Sequence, residues 1–307
     1  MKVISLTSKI KFQNTVAAIG IFDGVHHGHQ YLLKKMLAKA RSLKAKSMVI
    51  TFFPHPAHVL RPDVQLPYIV SFEERMRLLA CEGVDVCVVV RFTKKFAHIL
   101  PEYFIKEVLV KQLGVKALYV GDDFRFGRDR AGDVLLFRSL AKECDYQMCG
   151  VKALMQQGKA ISSTRIRTLV TQGDMLPVQR LLGREFNLSG QVVKGKGRGK
   201  GLGFPTANVD YSHGVMPPNG VYAVKVLYKG KMHHAVANLG LRPTFKENVN
   251  KPLLEVYLLD FHRDIYGQTV NVFFIKKIRD EQTFPNLDAL KTQIQKDVQK
   301  SRILLKT

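Results

Sequence analysis

The chain has 307 residues, of which 46% are hydrophobic and 24% charged, and its 48 Lys and Arg outnumber 25 Asp and Glu. This composition is typical of a globular protein and excludes a disordered or fibrous chain, while the length predicts two domains because one core stops growing at roughly 250–300 residues. No apolar run approaches the ~18 residues of a membrane span, and the N-terminus lacks the apolar stretch of a signal peptide. We therefore expect a cytoplasmic protein without a membrane segment.

The net charge of +23 is spread along the chain, with +13 on residues 1–185 and +10 on residues 186–307. Such an excess of cations points to anionic partners, namely nucleic acids, membrane surfaces or phosphorylated small molecules. The sequence has no separate basic tail and no aromatic-rich RNA-binding signature. We therefore expect a solvated basic surface with local phosphate sites and no specific nucleic-acid partner.

The four cysteines, Cys81, Cys87, Cys144 and Cys149, form no Cys-x-x-Cys pair and are not near clustered histidines in the sequence. This spacing excludes the usual zinc motifs, and four cysteines do not make a disulfide framework in a chain of this length. We expect reduced thiols, in agreement with a cytoplasmic location.

Strand-like and helix-like patterns alternate in the first part of the chain. Apolar runs predict strands at residues 16–22, 47–53, 85–92, 116–121 and 146–154. Helical periodicity predicts helices at 30–43, 72–81, 102–113 and 133–143, followed by short helices at 164–170 and 177–182. Apolar strands that alternate with helices indicate a parallel sheet covered on both faces, so residues 1–185 are predicted to form an α/β domain.

The pattern changes after Phe186. Short segments rich in β-branched and aromatic residues predict strands at 189–193, 220–228, 231–239, 253–259 and 269–278, separated by Gly, Pro and Asn turns. This arrangement is typical of an antiparallel barrel or sandwich. One apolar face at residues 286–305 predicts a terminal helix. Residues 186–307 are therefore predicted to form a second, mostly β domain.

A motif rich in glycine and histidine, GIFDGVHHGH at residues 20–29, leaves the first of these predicted strands and enters a helix. In open α/β sheets, ligands bind where strands end, and glycines there let the backbone approach a phosphate at the helix N-terminus. His26 and His29 are then placed to donate hydrogen bonds to a triphosphate whose α-phosphorus is attacked. Taken alone, the motif fits equally well a turn with surface histidines or an incidental metal site.

Three further motifs follow: TFFPHP at residues 51–56, GDDFRFG at 121–127 and ISSTRIR at 161–167. With the histidine motif, they resemble the N-terminal FMN adenylyltransferase module of prokaryotic bifunctional riboflavin kinase/FAD synthetases, nucleotidyltransferases that carry an HxGH signature. The resemblance implies a Rossmann-like nucleotidyltransferase fold that binds ATP and FMN. Phe53 departs from the family pattern, in which we expect an acidic or polar residue before Pro-His-Pro.

The resemblance also implies roles for individual residues. It assigns catalysis to His26, His29 and Arg167. It assigns binding of the ATP phosphates to seven residues: Gly20, Phe22, Asp23, Gly24, Gly28, Ser163 and Thr164. Ser163 and Thr164 are suited to cap a helix that faces the phosphates, as an ordinary N-cap also is. The implied flavin contacts are His55, Asp123, Phe124 and Phe126, although both phenylalanines are equally suited to the core.

A basic, glycine-rich motif, GKGRGKGLGFPTAN at residues 195–208, opens the second domain. It lacks the spacing of a Walker loop, but its backbone N–H groups can wrap phosphates, and in isolation it suits RNA equally well. Thr206 and Asn208 lie two residues apart on an extended segment and therefore point to the same side. Their side-chain oxygens are suitable ligands for Mg²⁺, which prefers few protein ligands together with phosphate oxygens.

Three more motifs, PNGVYA at 218–223, NLGLRPTF at 238–245 and EVYLLDF at 255–261, complete a set that is similar to the riboflavin kinase module. The resemblance implies a β-barrel with Glu255 as catalytic base and Arg242 as a flavin contact. It implies ATP contacts from Gly199, Lys200, Gly203, Phe204, Pro205 and Thr206. Without the motifs, Glu255 would be expected to form a cross-strand ion pair with a lysine.

Over residues 18–284, the resemblance implies two reactions that both need Mg²⁺. Riboflavin and ATP give FMN and ADP in the C-terminal domain, and FMN and ATP give FAD and diphosphate in the N-terminal domain. Transfer of FMN or FAD to apo-flavoproteins is a further possible consequence. Two alternatives stay open: a riboflavin kinase with a degenerate adenylyltransferase half, and a basic nucleic-acid-binding protein on a nucleotidyltransferase scaffold.

Overall fold

The computed structural model describes residues 1–64, 66–195, 198–211, 214–242 and 251–306. Its contacts divide the chain into two compact units: Met1–Tyr68 with Phe72–Ser163, and Ile69–Ser71 with Thr164–Thr307. The short helices near residue 170 thus group with the second unit, whereas the predicted domain boundary lies at residues 185–186. In the described part of the chain, no helix is long and apolar enough to cross a membrane.

The first unit is built on a six-stranded parallel sheet with the strand order β1-β4-β3-β2-β5-β6. The strands are β1 (Lys2–Ser5), β2 (Thr15–Ile19), β3 (Lys46–Phe53), β4 (Val86–Arg91), β5 (Val115–Gly121) and β6 (Gln147–Val151). Five of them agree with the predicted strands. The additional β1 is short and largely exposed, so it lacks the apolar run that revealed the others.

Helices cover the sheet, and the first one illustrates why they form. Helix α1 (His27–Ser42) buries Leu32, Leu33, Met36 and Ala40, which recur at the three- and four-residue spacing of one helical face. The others are α2 (Pro56–Leu60), α3 (Phe72–Cys81), α4 (Lys94–Ala97), α5 (Pro101–Tyr103), a π-helix (Phe104–Gln112), a 3-10 turn (Arg128–Arg130) and α6 (Val134–Ala141). A hairpin of β7 (Met155–Gln156) and β8 (Lys159–Ala160) leads to the end of this unit.

The second unit begins with two helices, α7 (Ser163–Gln172) and α8 (Met175–Leu182), of which the first residue, Ser163, belongs to the first unit. A closed antiparallel barrel follows, with the order β10-β13-β12-β11-β14-β9. Its strands are β9 (Phe186–Val193), β10 (Ala207–Tyr211), β11 (Gly220–Tyr228), β12 (Lys231–Arg242), β13 (Lys251–Leu258) and β14 (Thr269–Arg279), and a short helix α9 (Arg198–Gly201) lies before β10. The predicted barrel is confirmed, and β10 is a strand that the sequence did not reveal.

The terminal helix α10 (Leu287–Leu305) packs on the outside of this barrel. Its residues Val298 and Leu305 join a core cluster with Val236 of β12 and Ile278 of β14. Asn286 caps its N-terminus, since Asn286 Oδ1 accepts a hydrogen bond from the Ala289 N–H at 2.8 Å. The helix thereby extends one face of the barrel.

A buried ion pair also joins α10 to the barrel. Arg279 is the last residue of β14, and its Nη2 donates a hydrogen bond to Asp297 Oδ2 at 2.8 Å. Its Nε donates to Asp297 Oδ1 at 3.1 Å and to Oδ2 at 3.0 Å. Asp297 is only 3% exposed and also accepts from Gln293 Nε2 at 2.9 Å. Removal of one partner would leave a buried charge, so this contact ties the helix to the strand end.

Candidate functional site

The loop after β2 has an unusual backbone path. Phe22, Gly24 and Val25 have φ angles of 55°, 82° and 39°, in the left-handed region that costs free energy for residues with a Cβ. Phe22 and Val25 are nevertheless buried. Their packing holds the backbone of this loop in one path just before the N-terminus of α1.

His26 and His29 form a rigid pair at the start of α1. Their rings stack with centroids 3.6 Å apart, and His26 caps the helix because its Nδ1 accepts a hydrogen bond from the His29 N–H at 3.3 Å. Gly28 lies between them, where an added Cβ would be 3.1 Å from the His26 ring and 3.2 Å from the Ile161 carbonyl oxygen. Glycine therefore permits the close approach of these groups.

The environment of His29 favours its neutral form. Burial, the neighbouring His26 and the Arg75 guanidinium together hold the pKa of His29 well below its usual value. Its Nδ1 is buried without a hydrogen-bond partner among the described residues, whereas the residue as a whole is only half-buried. These surroundings favour the neutral imidazole of His29 at pH 7.

The end of the first unit reaches the same loop. Ser163 Oγ donates a hydrogen bond to the Asp23 carbonyl oxygen at 3.0 Å, and Asp23 itself is buried. The structure therefore brings Ser163 to the predicted phosphate loop. Thr164 and Arg167 follow on α7, which belongs to the second unit, and their phosphate-binding roles stay predictions.

His55 lies in a compact aromatic turn after β3. Its Nδ1 accepts a hydrogen bond from the Ala57 N–H at 3.0 Å, and its own N–H donates to Tyr68 Oη at 2.6 Å. Phe53, the residue that departs from the family pattern, is 39% exposed and packs on Phe72 with ring centroids 4.6 Å apart. The turn thus presents an aromatic surface next to His55.

The two phenylalanines of the GDDFRFG motif differ in their exposure. Phe126 is 8% exposed and stacks on Phe137 with centroids 4.3 Å apart, so it is a core residue. Phe124 is half-buried, and its ring stacks beside Phe126 at 5.9 Å. Of the two, Phe124 has more side-chain surface left for a flavin. Asp123 lies at the end of β5, with Oδ1 close to Gly121.

Glycines in the second unit let its basic loop pack closely onto the following segment. An added Cβ at Gly195 would overlap the Asn208 amide, and one at Gly199 would overlap the Phe204 carbonyl oxygen and lie 3.2 Å from Thr206 Oγ1. Gly203 has a φ of 86°, which glycine adopts without strain. Pro205 is exposed.

Three polar residues lie in one row across neighbouring strands of the barrel. Glu255 of β13 is directly opposite Asn208 of β10 on one side and Asn238 of β12 on the other. Residues that are directly opposite share a face of the sheet. Leu254 and Val256, the neighbours of Glu255, are buried on the other face, so the row lies on the outside of the barrel.

A second carboxylate borders this row. An added Cβ at Gly240, two residues after Asn238, would overlap Glu281 Oε1. Phe204 lies at the other side, with its ring 5.5 Å from that of Tyr257. Asn238 was quoted in a motif but not identified as a site residue, because only the strand register places it beside Glu255.

Parts of the predicted site lie outside the described residues. These are residues 196–197 of the basic loop and 243–245 of the NLGLRPTF motif, together with the side chains of Lys200 and Arg242. The roles of Lys200 and Arg242 stay predictions. No group of three or more His, Cys, Asp or Glu in the described ranges is arranged to hold a metal. Thr206, Asn208 and Glu255 instead offer a small set of oxygen donors, which fits Mg²⁺ bound together with phosphate.

Comparisons with known proteins cover nearly the whole chain. Residues 8–165 match the family model for FAD synthetase, and residues 182–305 match that for riboflavin kinase. The bifunctional riboflavin kinase/FMN adenylyltransferase of Escherichia coli K12 is 42% identical over 286 residues, which are 93% of this chain and 91% of the relative. The protein of that name from Haemophilus influenzae is 38% identical over 94% of each chain.

A solved structure has the same fold. The crystal structure of a protein named macrolide-efflux protein, from Streptococcus pneumoniae, aligns with a TM-score of 0.88 and 31% identity over 98% of this chain and 99% of its own. The two family models and the curated relatives agree on both halves of the chain, and they favour neither a degenerate adenylyltransferase half nor a nucleic-acid-binding protein. The chain belongs to the family of bifunctional riboflavin kinase/FMN adenylyltransferases, whose N-terminal part makes FAD from FMN and whose C-terminal part makes FMN from riboflavin.

Proposed function

We propose that the two reactions take place at two separate sites: adenylyl transfer at the loop 20–29, and phosphoryl transfer beside Glu255. The observation that carries the proposal is the register of the barrel, which aligns Glu255 with Asn208 and Asn238 on one face. The stacked His26–His29 pair supports the first site in the same way, because it lies at a helix N-terminus after a parallel strand.

In the first site, an oxygen of the FMN phosphate attacks the α-phosphorus of ATP, and diphosphate leaves. His26 and His29 donate hydrogen bonds to the phosphate oxygens on which charge develops. Ser163, Thr164 and Arg167 bind the leaving diphosphate, and Arg167 supplies a positive charge. The backbone of Gly20, Phe22, Asp23, Gly24 and Gly28 surrounds the triphosphate.

The flavin of this first site is held by the aromatic turn and the motif after β5. His55, Asp123 and Phe124 contact it, and Phe126 supports Phe124 from the core. This arrangement agrees with the exposure of Phe53 and Phe124, because a flat flavin ring stacks on accessible aromatic faces.

In the second site, the ribityl 5′-hydroxyl of riboflavin attacks the γ-phosphorus of ATP, and ADP leaves. Glu255 orients this hydroxyl and accepts its proton as the bond to phosphorus forms. The backbone of Gly199, Lys200, Gly203 and Phe204 binds the ATP phosphates, with Pro205 and Thr206 at the end of the loop. Arg242 contacts the flavin.

Mg²⁺ would be held by Thr206 Oγ1 and the side-chain oxygen of Asn208, together with phosphate oxygens. When bound, it neutralises charge that develops on the transferred phosphate. The packing of Gly195 and Gly199 against these two residues supports the assignment, since it fixes the side chains that would act as ligands.

Two further properties belong to the same proposal. The enzyme works in the cytoplasm, in agreement with four free cysteines and with substrates that are metabolites of the cell interior. Its products FMN and FAD are passed on to apo-flavoproteins, since a flavin nucleotide acts as the cofactor of another enzyme.

The separation of the two sites is tested with chain fragments. Residues 186–307 correspond to the predicted domain, and residues 164–307 add α7 and α8, of which α8 packs against β9 and β14. Each fragment is incubated with riboflavin, ATP and Mg²⁺, and flavins are separated by HPLC. FMN without FAD is expected from both fragments, and FAD from the full chain. A folded 164–307 fragment that makes no FMN would contradict the two-site proposal, and activity in this fragment alone would move the domain boundary.

A further inference from the structure

Arg75, on α3, is the largest side chain that is fully buried among the described residues, with 0% of its surface exposed. Burial of a cation costs several kcal/mol unless its charge is compensated. The packing of a helix on a sheet needs no charge at this position, and an apolar side chain of similar size would serve. Its presence therefore calls for an explanation beyond the fold.

The guanidinium of Arg75 holds Ile21, the second residue of the loop 20–29. Its Nη1 donates a hydrogen bond to the Ile21 carbonyl oxygen at 2.8 Å, and Thr51 Oγ1 donates to the same oxygen at 3.0 Å. Two donors thus fix the peptide that directly precedes Phe22, where the backbone enters the left-handed region. This anchoring determines the direction in which the loop leaves the strand.

The same guanidinium also contacts the aromatic turn that carries His55. Its Cζ lies 5.4 Å from the centroid of the Tyr68 ring and 5.6 Å from that of Phe72. Tyr68 Oη in turn accepts the hydrogen bond from the His55 N–H. Arg75 therefore touches the loop after β2 through Ile21 and the turn that carries His55 through Tyr68.

Several titratable groups face Arg75 from the elements around it. Burial lowers the pKa of Arg75, whereas the charges of Asp23 in the loop, Tyr68 before α3 and Cys87 on β4 raise it. The positive charge of Arg75 acts in the opposite direction on His29, where it adds to burial and His26 in lowering the pKa. Its Nε and Nη2 are buried without a hydrogen-bond partner in the described part of the chain.

We infer that Arg75 is a positioning residue for adenylyl transfer. Its hydrogen bond to the Ile21 carbonyl oxygen holds the loop and the His26–His29 pair in the conformation that binds the triphosphate. The inference rests on the proposed location of this reaction at the loop 20–29.

The test compares four variants of the full-length enzyme. Arg75→Gln removes both the positive charge and the planar guanidinium group, whereas Arg75→Lys keeps the charge. Thr51→Val removes the second hydrogen bond to the Ile21 carbonyl oxygen and changes no charge. Arg77→Gln is the matched control, because Arg77 lies on the same helix, is exposed and pairs with Glu74. With FMN supplied, kcat and KM for ATP are measured from pH 5.5 to 9, and circular dichroism reports folding.

For Arg75→Gln we expect kcat to fall by roughly 10²-fold with a smaller change in KM, since misplacement of the reacting groups by about 1 Å costs this much. Arg75→Lys and Thr51→Val should each lose on the order of 10-fold. Only Arg75→Gln should shift the acid limb of the kcat–pH profile to higher pH, because loss of the cation raises the pKa of His29. Arg77→Gln should behave as wild type.

A folded Arg75→Gln enzyme with wild-type kcat and an unmoved acid limb would overturn the inference. If Arg75→Gln does not fold, wild-type kcat in both Arg75→Lys and Thr51→Val would overturn it instead. His29→Ala separates this failure from that of the proposed site. If His29→Ala is impaired while the Arg75 and Thr51 variants are normal, only Arg75 has been misassigned, whereas normal adenylylation in His29→Ala would show that the reaction takes place elsewhere.

Discussion

The two units build their proposed nucleotide sites in different ways. In the first unit, the histidines and backbone groups proposed to face the triphosphate come from one contiguous loop, and stacked rings and left-handed residues hold that loop in place. In the second unit, Asn208, Asn238 and Glu255 come from three strands, and only the barrel register brings them together. The first site therefore depends on local backbone conformation, and the second depends on strand pairing.

This difference determines where each site is vulnerable. A change of a single side chain or of its buried support should impair the first site without disturbing the sheet. In the second site, the close packing of glycines on Asn208 and Thr206 makes the backbone of the loop as important as the side chains. Substitutions at the stacked histidines should leave the kinase reaction unchanged, and substitutions at Glu255 should leave adenylyl transfer unchanged, since the histidines lie in the first unit and Glu255 lies in the second.

The largest expected effect is that of Glu255→Gln. The amide keeps the size and hydrogen bonding of the carboxylate but accepts no proton, so riboflavin phosphorylation should fall by roughly 10²–10⁴-fold. Externally supplied FMN should still be converted to FAD at the wild-type rate. HPLC of both reactions measures this, and normal FMN formation would mean that the carboxylate is only structural.

His29→Ala is the crossed experiment for the first unit. Loss of one donor to the developing charge should reduce adenylylation on the order of 10²–10³-fold, as loss of a single oxyanion donor does. Riboflavin kinase activity should be unchanged in the same preparation. If a folded His29→Ala protein loses both activities, the two sites are not independent.

A glycine pair tests the loop of the second unit. In Gly195→Ala, the new methyl group would overlap the Asn208 amide, and we expect kinase kcat/KM for ATP to fall roughly 10-fold or more, since the proposed metal ligand is displaced. Gly201→Ala is the matched control, because its added Cβ meets nothing within 4 Å among the described residues beyond its chain neighbours and the backbone of its own helix. Equal activity of the two variants would argue against a role for the close packing at Asn208.

The smallest effect concerns stability and pH. His29 has a lowered pKa in the folded chain, so the unfolded chain binds one more proton as the pH falls below about 6.5. The first unit should therefore lose stability as the pH falls from about 6.5 to the pKa of His29 in the folded chain. Below that pKa, His29 should cause no further loss. His29→Ala should show a weaker dependence of Tm on pH between 5.5 and 7.5 than wild type. An identical dependence would mean that other groups dominate it.

Much of the fold was accessible from the sequence because buried strands and amphipathic helices leave periodic patterns. Five strands of the parallel sheet and the terminal helix were predicted in this way. Four strands were missed: the two-residue strands β7 and β8, which are too short to show a pattern, and β1 and β10. The short β1 is exposed and has no apolar run, and β10 follows a glycine-rich loop that conceals where extended structure begins.

The sequence indicated candidate sites where their residues are contiguous. The histidine motif placed His26 and His29 together at a helix N-terminus without predicting that their rings stack, and the sequence did not distinguish a core role from a ligand contact for Phe126. Arg75 left no signal, because in the run FEERMR it looks like one more residue of a solvated helical face. Only packing in three dimensions shows that this one cation is buried under the loop.

The open sheet and the closed barrel also differ in how the chain should behave when it is heated or concentrated. The barrel joins its first and last strands and so presents no strand edge, whereas the sheet ends at β1 and β6, each of which pairs with one neighbour among the described strands. Strand edges are templates for addition of another chain. Lys2 begins β1, but Gln147–Val151 contains no charged residue, so self-association of partly unfolded molecules should start along β6 and spare the kinase unit.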